Sequence, residues 1–159
     1  MPQKSTIKLP LTPAEKARLR QRKIRMGDLL QFAVDEIAGM LEVPMARARE
    51  LRALAEFQEI PSVGIRFAED LVFLGYYSVR DLAEKNGATL IEEFELKKGY
   101  WLDPCVEDQF RLVVHVAKHH DHSKQWWHFT PARKAYRAAN GYPASRPTRA
   151  WHEIPAENR

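Results

Sequence analysis

An all-α fold built from short helices is what the sequence predicts. Apolar residues recur every three or four positions in segment after segment, the spacing of a helix with one buried stripe. Ser, Thr, Asp and Pro stand where helices start, and Gly where they stop. No segment reads as a strand, and short helices joined by tight hairpins define the class. At 159 residues, the chain has room for about one domain. Its single cysteine, Cys105, excludes an internal disulfide framework and a cysteine-only zinc site. No apolar run reaches the ~18 residues of a membrane span. The first ten residues lack the apolar core of a signal peptide. A cytoplasmic protein with no membrane partner is the expectation.

Charge is unevenly spread. Residues 1–25 carry eight Lys/Arg against one acid, residues 26–117 nine against seventeen, and residues 118–159 eight against three. Two basic ends flank an acidic middle. Such ends suit a polyanion such as nucleic acid, and equally suit solvated arms.

The elements follow in order. Thr12 caps a first helix, with Pro13 in its first turn and Glu15 completing a capping box. That helix runs to about Arg25 and is polar nearly all round, so a core alone does not hold it. Asp28 caps a second, with Leu30, Ala33, Val34, Ile37, Ala38 and Leu41 at helical spacing. Pro44 opens a third, whose apolar face is Ala48, Leu51, Leu54 and Ala55. Residues 60–64 break the pattern. Ile65 to Leu74 resumes it over Ala68, Leu71 and Val72, and Gly75 ends it. Ser78 to Asp81 starts a short helix closed by Asn86-Gly87. Leu90, Ile91 and Phe94 mark another short helix, ended by the Lys98-Gly99 loop. Asp103-Pro104 starts the longest helix of the second half, with Val106, Phe110, Val113, Val114 and Ala117 as its core face. Thr130-Pro131 to Asn140-Gly141 is a short helix. Beyond it lies an extended tail with aromatic anchors. The expected organisation is a basic N-terminal helix (1–25), a core (26–122) and a basic aromatic extension (123–159) packing on that core.

The informative stretch is Leu54 to Leu74. Pro61 ends one helix and stiffens the exit. Val63, a lone apolar residue between small ones, plugs the gap between two helices. Gly64 permits positive φ and a close backbone approach. The loop then runs into a helix N-terminus, whose first amides lack partners within the helix and make a site for one phosphate. Arg66 sits in that first turn, badly placed for the dipole and well placed for an anion.

Ile60-Pro61-Ser62-Val63-Gly64, with Ala68 following, resembles the helix-hairpin-helix motif, in which backbone amides grip DNA without reading sequence. Ser62 stands where that motif has its first glycine. The resemblance implies phosphate contacts at Ser62, Val63, Gly64, Ile65 and Arg66. A second, degenerate hairpin spans Leu96 to Cys105, so the core is expected to be a compact bundle on tandem motifs. The stretch from about Ala46 to Trp127, with Asp103 to Asp108 and the Trp126-Trp127 pair, is similar to small bacterial proteins labelled "pathogenicity locus" or mitomycin-resistance-like. That resemblance covers about half the chain and implies a fold without an activity.

Other constellations compete. A recognition helix from Pro44 offers Arg47, Arg49 and Arg52 to a groove, or packs as the hairpin's first arm with its arginines solvated. His115 and His119 share a helix face at a spacing that suits metal, but lie opposite the apolar face and lack a catalytic Glu. Surface histidines at a helix end are the plainer reading, so no metal or cofactor is expected, nor a role assigned to the His115–His128 cluster. Cys105, near a helix N-terminus, has apolar neighbours that suggest a small buried residue. Asp103, Glu107 and Asp108 suit the helix dipole or pairing with Lys97, Lys98 or Arg111 better than a two-metal site. Trp126 and Trp127 are expected to cover the core. Arg133, Lys134, Arg137, Arg146 and Arg149 among the C-terminal aromatics either stack and track a strand of nucleic acid or serve the fold.

These readings converge on a non-enzymatic, sequence-independent DNA-binding module, in a repair or stress context. Its expected contacts are Ser62, Val63, Gly64, Ile65 and Arg66 in the hairpin, with Arg18, Arg22 and Lys23 adding attraction from the basic helix. The alternative is a protein–protein interaction domain that uses the same fold as scaffold.

Overall fold

The computed structural model describes residues 6–159, and the all-α expectation holds. Among the described residues there are seven α-helices, α1 (Pro13–Gln21), α2 (Val34–Leu41), α3 (Met45–Phe57), α4 (Ile65–Phe73), α5 (Gly87–Lys98), α6 (Pro104–His119) and α7 (Thr130–Asn140), with short 3-10 turns between them. Among the described residues, extended pairing is confined to one isolated parallel bridge, Trp101 with Ala150. The described chain forms two compact units, one up to Val79 and one from Arg80 to Arg159.

In the first unit, α3 packs against α2, α4 and the 3-10 turn Met26–Gln31, and α1 packs on α2. The face anticipated for α3 is the one it buries: Ala48, Leu51, Leu54 and Ala55 are at most 1% exposed. α1 starts as its sequence requires, with the Glu15 amide donating to Thr12 Oγ1 and the Thr12 amide to Glu15 Oε1. It stops at Gln21 rather than Arg25, where the chain turns at Lys23 with φ 57°. A polar helix holds its place here through buried Leu19 and a buried Glu15. Arg47 of α3 donates from Nε and Nη2 to Glu15 Oε2 and Oε1 at 3.1 and 3.0 Å. Its Nη2 also reaches the Pro10 carbonyl. Buried Gln58 binds the Lys8 backbone in both directions, accepting at 3.0 Å and donating at 2.7 Å.

The helix anticipated from Asp28 to Leu41 is two elements. Asp28 lies inside the turn Met26–Gln31 and accepts from the Arg25 amide, and the chain is extended at Phe32 and Ala33 before α2. α4 ends at Gly75 as anticipated. Gly75 has φ 96°, and the Gly75 and Tyr76 amides return to the carbonyls of Val72 and Leu71, the double bond of a Schellman cap. Phe67 takes the buried place expected of Val72, which is half-buried.

In the second unit, α5 and α6 pack side by side. Asn86 opens α5 rather than closing the preceding turn, since its Oδ1 accepts from the Ala88 and Thr89 amides. At Gly87 the two helices nearly touch: an added Cβ would lie 2.6 Å from Arg111 Cγ and 2.9 Å from the Arg111 backbone. Gly99 ends α5 at φ 82°. Asp103 caps α6 by accepting from the Cys105 amide at 2.8 Å. Phe94 and Phe110 meet in the core with ring centroids 5.7 Å apart.

Candidate nucleic-acid interface

The loop between α3 and α4 starts from buried Ile60. The Val63 amide donates to the Ile60 carbonyl at 3.1 Å, and the Val63 side chain is 5% exposed, so it plugs the gap as its isolation between small residues suggested. The left-handed residue is Ser62, at φ 63°. Gly64 has φ −95° and ψ −175°, an ordinary extended conformation, so the freedom anticipated for glycine is used two residues earlier and by a serine. Gly64 is the N-cap of α4 and supplies no side-chain cap, and no acid lies in the helix's first turn. Ser62, Gly64 and Arg66 are exposed, and Ile65 is half-buried. At the start of α4 the hairpin thus places exposed Gly64 and exposed Arg66, with Ile65 half-buried and Phe67 buried.

The basic residues in α1 and just beyond its end separate into two groups. Arg22 and Lys23 are exposed. Arg18 is committed to Glu42, its Nε 2.6 Å from Oε2.

Of the three α3 arginines, Arg47 and Arg52 are half-buried and Arg49 is exposed. Arg47 holds Glu15, Arg52 donates to the Phe32 carbonyl at 3.1 Å, and Arg49 lies 3.9 Å over the Tyr77 ring. Arginines in the C-terminal region serve the fold in the same way. Arg133 donates from Nε to fully buried Asp108 at 2.7 Å. Arg137 bridges Glu107 and Glu92, each at 2.9 Å. Arg146 forks onto Glu95 at 2.9 and 3.1 Å and stacks on the Tyr142 ring at 3.6 Å. Glu107 also takes the anticipated partner, Arg111, at 2.9 Å. Nothing local in the sequence marks the pairs made by Arg133, Arg137 and Arg146, because their members stand 25 to 51 residues apart.

Two anticipated burials do not occur. Cys105 is exposed, on the first turn of α6. Partial burial and the adjacent Asp103 and Asp108 carboxylates push its thiol up rather than toward a thiolate. Trp127 is 52% exposed, with only Trp126 of the pair half-buried. His115 faces Asp121 at 2.9 Å and its ring lies 4.8 Å from that of His119. Among the described residues no group of three His, Cys, Asp or Glu side chains is placed to hold a metal ion. No described helix is long and apolar enough to cross a membrane.

Fold and loop together define a small all-helical protein in which exposed Gly64 and Arg66 start a helix just beyond a left-handed Ser62. The Pathogenicity locus family model matches residues 50–135, and the chain belongs to that family. It is also similar to the mitomycin resistance protein McrB of Streptomyces lavendulae, 27% identical over 88 residues that cover 55% of this chain and 83% of that protein. No solved structure matches the chain.

Proposed function

We propose that the chain is a non-enzymatic module that binds the DNA backbone without reading sequence, using the turn Ile60–Arg66 as a helix-hairpin-helix loop. The observation that supports this is the left-handed Ser62, two residues before the N-cap Gly64 of α4, with Gly64 and Arg66 both exposed at the start of that helix. Orphan amides and the positive end of the helix dipole favour one phosphate oxygen. The guanidinium matches a second oxygen of the same group. Arg22 and Lys23 add Coulomb attraction; Arg18, held by Glu42, adds less. The competing reading, a protein-interaction scaffold, draws on the exposed Met45 and Phe73 at 54% and 38%.

Fluorescence anisotropy with labelled duplex, forked and single-stranded DNA at several salt concentrations tests it. Binding to duplex is expected, with a slope near −0.9 per neutralised phosphate. Ser62→Glu places a carboxylate at the phosphate site and is expected to weaken duplex binding at least tenfold. Arg22→Gln with Lys23→Gln should flatten the slope. These substitutions replace removal of the basic segment, which would strip buried Leu9, Glu15 and Leu19 from the unit. No binding at low salt, or full binding by a folded Ser62→Glu protein, overturns the reading in favour of a protein partner.

A further inference from the structure

The stretch Lys118 to His128 is not used by the hairpin reading. It joins the end of α6 to the 3-10 turn Trp126–Phe129 and exposes Lys118, His119, His120, His122, Lys124 and His128. Between residues 109 and 152 the sequence holds one acid, Asp121. That carboxylate is occupied: it accepts from the Ser123 amide at 2.9 Å and hydroxyl at 2.6 Å, and faces His115 Nε2 at 2.9 Å. The rest of the segment therefore presents cationic and titratable groups with no other acid among them.

Trp127 lies in this same segment with half its area in solvent. The turn that carries it is anchored. The Phe129 ring meets His115 of α6 at 5.3 Å, and the Gln125 amide donates to His128 Nδ1 at 2.9 Å. Trp126 supports the indole edge-on, with centroids 5.7 Å apart at 86°. A large aromatic plane is thus held on an anchored turn, against Trp126 and, tilted, the His128 ring at 5.7 Å, with half its area left uncovered. Tyr136 and Tyr142 differ from it, because Arg111, Arg137 and Arg146 already lie over their rings.

We propose that this surface binds single-stranded DNA, with Trp127 stacking on an unpaired base and Lys118 and Lys124 meeting the flanking phosphates. A single strand offers base faces that a duplex hides, and an aromatic platform among cations is the combination that engages them without sequence preference. The surrounding cations favour a polyanion over an apolar protein segment. The site uses different residues and a different form of DNA from the hairpin, so it stands apart from the hairpin reading.

The test is anisotropy of the full chain with a labelled thymine oligonucleotide and with a duplex of equal length. Trp127→Ala is expected to weaken single-strand binding about tenfold, and Trp127→Phe to recover most of it. Lys118→Gln with Lys124→Gln should reduce the single-strand salt slope by about 0.7 per lost phosphate contact. Ser62→Glu, measured in parallel, should leave the Trp127-dependent part intact, which separates failure of the hairpin from failure of this site. Unchanged single-strand affinity in a Trp127→Ala protein with unaltered circular dichroism overturns the proposal. So does absence of single-strand binding by the unsubstituted chain at low salt.

Discussion

Arg146 forks onto Glu95 across 51 residues of sequence, and Glu95 is 1% exposed beneath it. The same carboxylate accepts from the Leu102 amide at 2.7 Å, so both of its oxygens are engaged. A buried charge of this kind is tolerated because its cation and hydrogen bonds arrive together. Arg146→Leu strands the carboxylate and is expected to destabilise the protein by about 3 kcal/mol. Glu95→Gln keeps an acceptor for Leu102 and should cost less. The double replacement by leucine should cost less than the two single leucine variants added together. Urea denaturation measures all of these, and strictly additive losses would contradict the pairing.

Ser62 holds a conformation that L-residues other than Asn and Asp seldom adopt. Glycine at this position removes the Cβ strain, whereas alanine retains it. Ser62→Gly should therefore be more stable than Ser62→Ala by about 1 kcal/mol, both having lost the hydroxyl. Equal melting temperatures for the two would argue against the left-handed turn.

The contact between α5 and α6 depends on the missing side chain at Gly87. A methyl group there meets Arg111 backbone atoms at 2.9 Å, and the backbone of a packed helix cannot step aside as a flexible side chain can. Gly87→Ala should cost about 1–3 kcal/mol although alanine is the better helix former. Thermal denaturation showing a stabilised Gly87→Ala protein would refute the close approach.

Acid should loosen the first unit. Burial alone would raise the Glu15 pKa, but the hydrogen bonds and charge of Arg47, with the Thr12 bonds, outweigh it and hold Glu15 below its ordinary 4.5. A carboxylate depressed in the folded state adds stability above its unfolded pKa and loses it as pH falls through the folded value. The Glu15 contribution is thus complete near neutrality and fades below about pH 4.5. Glu15→Gln should lower stability at pH 7 and flatten the decline below pH 4.5. A Glu15→Gln protein with the same acid limb as the parent would show that other carboxylates carry it.

What was legible in the sequence is what local chemistry writes. Thr12-Pro13 with Glu15, Asp103-Pro104 and the Gly75 cap each act within a few residues, and each does what its spacing implies. Val63 was identifiable as a plug from its neighbours alone. Asn86-Gly87 was read in the wrong direction, because Asn and Gly serve both ends of helices and only the partners of Asn86 decide. Ser62 and Gly64 exchanged roles because turn geometry depends on where the following helix starts. The arginines were least legible. A guanidinium that tracks a phosphate and one that holds a buried carboxylate look alike until the distant acid is placed beside it, as Asp108 is beside Arg133.

The long-range clamps also bear on modularity. The family-matched span, residues 50–135, begins inside α3 and stops inside α7. Arg137 and Arg146 fall outside it, whereas Glu92, Glu95 and Glu107 fall inside. Arg47 and Glu15 are likewise left on the far side of its first boundary. A fragment trimmed to that span would begin partway along α3 and leave Glu92 and Glu95 without Arg137 and Arg146, while Glu107 would keep Arg111 and Asp108 would keep Arg133. In this chain the segment that defines the family therefore draws part of its charge pairing from its flanks, and a graft that keeps those pairs has to carry Arg137 and Arg146 with it.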